Sequence, residues 1–127
     1  MESNVVGWFE IPVEDMERAM KFYTDVFGFE MKRQQMGEFD MGWFPFNHEG
    51  IGAPGSLVKY EGFYKPSTDG TLIYFAAPSG DLNNEMAKVE PAGGKVLMEK
   101  KQISPEHGYM SVFQDTEGNR VAMHSQG

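Results

Sequence analysis

Apolar residues follow two rhythms along this chain, and the rhythms alternate in the same order twice. Val5 to Ile11 is a short apolar run containing Trp8 and Phe9, and it reads as a strand. Pro12 is expected to end it, because proline cannot donate to a ladder. From Met16 the spacing becomes helical, with Met16, Ala19, Met20, Tyr23, Val26 and Phe27 on one face. Asp15 is placed to cap the first turn, and Glu17 lies where the helix dipole favours an anion. Gly28 supplies the left-handed residue that closes the helix. Phe29 to Met36 alternates as a strand does, and Phe39 to Phe46 reads as another, rich in aromatics. Residues 47 to 55 are glycine-rich and turn-like, and Ser56 to Tyr60 is a short strand. The first unit is therefore β-α-β-β-β.

The plan then restarts. Trp8 and Tyr74, Phe9 and Phe75, Pro12 and Pro78, and Asp15 and Asp81 are each 66 positions apart. Met16 and Leu82, Met20 and Met86, and Gly28 and Gly94 continue the same offset. A second helix is predicted from Leu82 to Val89, stopping before Pro91. Gly93-Gly94 leads into a strand from Lys95 to Ile103, followed by Gly108 to Gln114 and Asn119 to Ser125. The stretch Asp115 to His124 is a tight turn with Glu117-Gly118-Asn119 at its tip, then a strand. Glu49 to Val58 repeats that plan, with Gly52 matching Gly118 and Leu57 matching Met123. A period longer than about 50 residues, present twice, marks a duplicated supersecondary unit and not a solenoid. The predicted organisation is one domain over 1–127, with module one over about 4–60, a connector over about 61–70 and module two over about 71–125. Lys59 to Gly70 reads as the connecting loop and carries Tyr60, Phe63 and Tyr64, which either cover the core or form a lid; cover is the favoured reading.

Composition narrows the function classes. A chain of 127 residues with 40% apolar residues can bury a sizeable core. A net charge of -8 argues against a nucleic-acid surface and against an anionic membrane partner. The lack of cysteine excludes disulfides and thiolate chemistry and fits a cytoplasmic location. Met1-Glu2-Ser3-Asn4 carries no basic segment leading into a long apolar run, so no signal peptide is expected. No run approaches the roughly 18 apolar residues of a membrane span. Ten methionines suit a core or an adaptable pocket, the core being the plainer reading. There is no G-x-S-x-G elbow and no Walker loop. Gly50-x-Gly52-x-x-Gly55 precedes a strand and not a helix, so it reads as turn glycines and not as a dinucleotide fingerprint.

Trp8-Phe9-Glu10-Ile11-Pro12-Val13, then Arg18-Ala19-x-x-Phe22-Tyr23-x-x-Val26-Phe27-Gly28-Phe29-Glu30, open the first module. Gly93-Gly94-Lys95-Val96-Leu97 and Asp115-Thr116-Glu117-Gly118-Asn119-Arg120 punctuate the second. In this order they resemble the glyoxalase / bleomycin-resistance / extradiol-dioxygenase superfamily, also called the vicinal oxygen chelate fold, over essentially the whole chain. The resemblance implies an α+β fold of two tandem βαβββ modules forming curved mixed sheets around a cavity. It also implies that modules can pair across a two-fold homodimer. Enzymes of the superfamily hold a divalent cation on the first and fourth strands of each module, where it polarises vicinal oxygens.

Carried onto this chain, those positions fall on Trp8 and Tyr74, and on Ser56 and Ala122. None is a usual ligand for such a cation, so the residues disfavour a metal and no cofactor is expected. A register slip of one residue would change which side chains face inward. Glu10 and His124 lie two residues beyond Trp8 and Ala122, hence on the same faces. They could bind a polar ligand group or act as base and acid. The alternative makes Glu10 a paired structural carboxylate and His124 a residue of the chain end. His48 and His107 fall in loops and read as solvated. The leading expectation is a metal-free binder of a small, partly apolar or aromatic molecule, using Trp8, Glu10, Ser56, Tyr74, Ala122 and His124. The alternatives are a metal-dependent lyase, isomerase or dioxygenase using Glu10 and His124, and a non-catalytic interaction subunit.

Overall fold

The computed structural model describes residues 4–127. The first module comprises β1 (Phe9–Pro12), α1 (Met16–Phe27), β2 (Lys32–Met36), β3 (Phe39–Trp43) and β4 (Gly55–Lys59). The second comprises β5 (Tyr74–Ala76), α2 (Leu82–Met86), β6 (Lys95–Ser104), β7 (Gly108–Gln114) and β8 (Arg120–Ser125). Each module forms its own four-stranded sheet, ordered β1-β4-β3-β2 and β5-β8-β7-β6. In both, the first and last strands of the module pair in parallel and the remaining pairs are antiparallel. The duplication read from the 66-residue offset is thus a duplication of topology. Among the described residues no helix is long and apolar enough to cross a membrane.

Local chemistry accounts for most boundaries. Asp15 caps α1 by accepting from the Arg18 amide at 3.0 Å, and Gly28 closes it at φ 76°. β1 ends at Pro12, as expected from its missing N–H. The strand tolerates proline because β1 is an edge strand, so no ladder bond to a second neighbour is lost. β1 begins at Phe9, which leaves Trp8 just outside the ladder. β2 begins at Lys32 and not at Phe29, because Phe29 stacks on Phe27 at 5.0 Å and the chain follows the helix end before it pairs. β3 stops at Trp43, short of Pro45 and Phe46. α2 ends at Met86; the Val89 amide bonds the Met86 carbonyl, a tighter turn that carries the chain toward Gly93.

The two modules share one core. The buried face of α1, with Ala19, Phe22, Tyr23 and Val26, packs on Ile11, Leu57 and Phe44 of the first module and on Phe113, Val121 and Met123 of the second. Phe75 lies at the centre, with ring centroids 5.0–6.1 Å from Phe9, Tyr23, Phe27, Phe29 and Phe44. Gly55 makes room for this packing: a Cβ there would lie 2.3 Å from the Phe9 ring. Each sheet therefore turns its helix-bearing side to the common core. The opposite faces, carrying Trp8 and Trp43 on one sheet and Tyr74 and His124 on the other, lie outside it.

The β7–β8 turn locks the second module onto the first. The side chain of Glu117 is fully buried. It accepts from the Glu14 and Asp15 amides at 2.8 Å each, from Arg18 Nε at 2.7 Å and Nη2 at 3.0 Å, and from Thr116 Oγ1 at 3.0 Å. A carboxylate is thus seated at the N-terminus of a helix from the other module, where unpaired amides and the helix dipole favour an anion. Beside it, Asn119 Nδ2 donates to the Pro12 carbonyl at 2.7 Å, and the Tyr23 hydroxyl donates to Asp115 Oδ2 at 2.7 Å.

Burial alone would push Glu117 up, but Arg18, the two amides and Thr116 outweigh it and hold its pKa below the ordinary 4.5. Its stabilisation is therefore complete above pH 4.5 and is lost as pH falls through the lowered native value. Asp115 works in the opposite sense. Burial raises its pKa from 3.8 against the pull of its hydrogen bonds, so the penalty for its charge appears as pH rises through the raised value. Glu117→Gln is expected to lower unfolding free energy at pH 7 by about 2–3 kcal/mol, since one oxygen facing several donors becomes an NH2 group. Urea unfolding measured from pH 7 to pH 3 should show the gap between wild type and variant closing below pH 4.5.

Candidate functional site

The open face of the first sheet gathers its side chains through strand register. Glu10 of β1 lies beside Ser56 of β4, and Ser56 lies opposite Trp43 of β3. Gly42, the neighbour of Trp43, faces the other way, toward Met16 and Met20 of α1. Trp43, Ser56 and Glu10 therefore share the face turned away from the helix. The Trp8 ring meets Trp43 edge to face at 5.3 Å, and Phe46 extends the aromatic surface at 6.5 Å from Trp43. Trp8 is 38% exposed and Phe46 is 46% exposed, so large apolar surface remains accessible to solvent. Both tryptophans of the chain lie here.

Polar groups are set into this surface. Glu10 is half-buried and accepts from the Tyr64 hydroxyl at 3.0 Å and from Trp8 Nε1 at 3.4 Å. Bonding to Glu10, followed by desolvation, raises the pKa of Tyr64 above its ordinary value. Trp43 Nε1 and Ser56 Oγ are buried and have no hydrogen-bond partner among the described residues. A third such group, Ser111 Oγ, shares the face of Met123, which belongs to the core. Two unpartnered buried groups on adjacent strands of one open face are uncommon and invite a functional account.

On the second sheet Tyr74 lies beside Ala122, and Ala76 beside His124. Tyr74 is 49% exposed, whereas Ala122 is fully buried. His124 Nε2–H donates to the His107 carbonyl at 2.6 Å, and His107 Nδ1 lies 2.8 Å from Ser104 Oγ. The structure thus brings Trp8, Glu10 and Ser56 together on one sheet and Tyr74, Ala122 and His124 on the other. Glu10 and His124 each bond elsewhere and not to one another. The 66-residue correspondence also slides by two residues between modules: Tyr74 pairs with Ala122, but Ser56 pairs with Glu10 and not with Trp8. A shift of two keeps every side chain on its face and changes its neighbour.

The resemblance implies a divalent cation, and the four corresponding positions offer an indole, a hydroxyl, a phenol and a methyl group. Among the described residues, no three or more His, Cys, Asp or Glu side chains come together within one chain to hold a metal. This donor set does not fit such an ion.

Trp43, Phe46 and Tyr64 belong to this surface, although composition alone marked residues 39–46 only as an aromatic strand. Tyr64, together with Tyr60 and Phe63, forms an aromatic cluster on the connector. Tyr60 meets Phe39 and Phe63, each at 4.7 Å, and donates to Glu38 at 2.6 Å. Phe63 is 78% exposed. A cleft of about 450 Å³ runs along this cluster, lined by Val13, Tyr60, Phe63 and Tyr64. A smaller one of about 240 Å³ lies between Glu10, Lys65, Ser67 and Asn119.

Similarity to known proteins agrees with this architecture. The profile of the family "Bleomycin resistance protein-like N-terminal" matches residues 6–41. A glyoxylase-like domain-containing protein of Didymella fabae is 30% identical over 122 residues, covering 93% of this chain and 91% of that one. TnmS3, an antibiotic binding protein from Streptomyces sp. CB03234, shares the fold with a TM-score of 0.69 at 21% identity, covering 100% of this chain and 99% of that one. Glyoxalase I from Zea mays also shares it, with a TM-score of 0.67 at 19% identity; 93% of this chain is covered, but only 43% of the maize chain. The chain belongs to the glyoxalase / bleomycin-resistance / extradiol-dioxygenase superfamily.

The Tyr64–Glu10 bond is the hydrogen bond that joins the aromatic connector to β1 beside the site. Tyr64→Phe is expected to change global stability by less than about 1 kcal/mol, because the bond is partly exposed. It should nevertheless increase the rate of limited chymotrypsin cleavage after Phe63, read by mass spectrometry, since local opening of the connector becomes easier.

Proposed function

We propose that this chain binds a small, planar, partly apolar molecule against the open face of the first sheet and does so without a metal ion. The observation that carries this reading is the exposed Trp8–Trp43–Phe46 surface with polar groups set into it. Small-molecule sites are commonly apolar surfaces with a few placed polar groups. The similarity in fold to an antibiotic binding protein is consistent with it. The face of one chain is open, so a second copy closes it: a homodimer that sets the first sheet of one copy against the second sheet of the other would enclose Trp8, Glu10 and Ser56 with Tyr74, Ala122 and His124. Exposed Leu97, Met98 and Ile103 on β6 supply apolar area for such an interface.

A second reading follows from the same arrangement. Glu10 and His124 lie on the two open faces, so dimerisation would bring a carboxylate and an imidazole into one cavity, as an acid–base pair of a glyoxalase-type enzyme requires. Stoichiometric divalent metal in the purified dimer, with stabilisation on adding nickel, zinc, manganese or iron(II), would select it over the metal-free reading.

Titration with planar aromatic compounds is expected to change tryptophan fluorescence and raise the melting temperature, because both tryptophans lie on the binding face. Trp8→Ala should weaken binding by about 2- to 12-fold, the equivalent of a stacking contribution of about 0.5–1.5 kcal/mol. Unchanged fluorescence and melting across the whole panel would refute the reading.

A further inference from the structure

Resting on the proposed ligand-binding reading, we infer that Trp43 Nε1–H and the Ser56 hydroxyl together form a hydrogen-bonding subsite for a carbonyl oxygen carried by the planar ligand. The two groups belong to directly opposed residues of the antiparallel β3–β4 pair. Such neighbours project side by side from the same face. Both atoms are buried and neither has a partner among the described residues. Ser56 is fully buried in the strand that stands between β1 and β3. Burying polar groups without protein partners is unfavourable, which points to a ligand atom that completes the pair.

The chemistry of the pair selects the class of ligand. An indole N–H donates only, and a serine hydroxyl can donate a second hydrogen bond. Two donors on directly opposed residues of one face suit an oxygen with two lone pairs, as a ring carbonyl has. An ammonium or amide N–H group finds no acceptor on Trp43. Glu10, the neighbour of Ser56 on β1, accepts from Trp8 and Tyr64 and makes no hydrogen bond to the Ser56 hydroxyl.

Access is governed by Trp8. Its ring lies against the edge of Trp43, the residue whose N–H is shielded from solvent. Trp8 precedes the first paired residue of β1 and is held there by one long hydrogen bond of 3.4 Å to Glu10. Gly7 before it stands in open space. The ring can therefore leave Trp43 without breaking a ladder. The incoming planar ligand takes its place, and Trp8 then covers the ligand's far side. Trp8 contributes stacking to any flat molecule, whereas Trp43 and Ser56 distinguish those that carry an oxygen acceptor.

The test compares 9-fluorenone with fluorene, which share one tricyclic skeleton and differ at a single carbon, C=O against CH2. Equilibrium dialysis on the full chain should give at least tenfold tighter binding of fluorenone. Ser56→Ala and Trp43→Phe should each bring that ratio to about threefold or less through loss of fluorenone affinity, while Trp8→Ala weakens both compounds alike and leaves the ratio unchanged. The infrared carbonyl stretch of bound fluorenone should move to lower wavenumber in wild type and return toward its value in an apolar solvent in Ser56→Ala. Ser56→Ala removes an unpartnered hydroxyl, so its melting temperature without ligand should be no lower than that of wild type; Trp43→Phe, at the opposite strand position, provides an independent second variant. Equal binding of both compounds, or a ratio insensitive to Ser56 and Trp43, overturns the subsite and leaves the ligand-binding reading standing. Failure of both compounds to bind, along with every other planar aromatic tried, removes the reading and the subsite together.

Discussion

One buried carboxylate joins the two halves of this molecule. Glu117 sits on a tight turn of the second module and receives the first amides of a helix that belongs to the first. A helix N-terminus offers donors that its own backbone cannot satisfy, and a charge-assisted bond to each is stronger than a neutral one. The Arg18 guanidinium, on the same helix, neutralises the charge from the solvent side, where it remains half exposed. Because the turn carrying Glu117 leads directly into β8, the contact fixes how the second sheet is placed against α1. The shared aromatic core around Phe75 then fills the space that this placement defines.

That arrangement has a consequence for function. Both sheets spend their helix-bearing sides on the common core, and their other faces lie outside it. The superfamily uses such faces to hold a cation, yet the fold constrains only the positions and not the groups installed at them. Here the positions carry an indole, a phenol and small side chains. The surface is therefore largely aromatic and apolar, with a few buried polar atoms set into it. A polar atom inside an aromatic surface discriminates strongly, because a ligand that cannot satisfy it leaves it unpaired in a dry setting.

Tyr23 joins the two modules by apolar packing and by a hydrogen bond at once. Its ring packs in the core against Phe44 and Phe75, while its hydroxyl reaches the Asp115 carboxylate of the opposite module. Burial and then the neighbouring Asp115 charge push its pKa well above 10.0, so it remains a neutral donor. On the exposed side of the molecule the acidic surface carries ion pairs such as Lys21–Asp25 and Arg33–Asp40, whose exposed geometry contributes little to stability.

The order of elements was legible from the chain itself. Helical spacing, the Asp15 cap and Gly28 placed α1 at its observed bounds, and the 66-residue repeat anticipated two sheets of the same topology. These features are local, set by side-chain periodicity and by backbone conformations that few residues adopt. Strand starts were less legible, because the late entry of β1 at Phe9 and of β2 at Lys32, with Phe29 against Phe27, depends on which neighbour is present. The site was legible only in part. Trp8, Glu10 and Ser56 do share a face, but the residue beside Ser56 is Glu10, and Trp43 enters from a strand whose pairing no sequence spacing announces. Nor could the chain reveal that Glu117 reaches across 102 residues to the Asp15 amide. Periodicity along a strand determines which side a residue faces; what stands next to it is decided by register and by the packing of one module on the other.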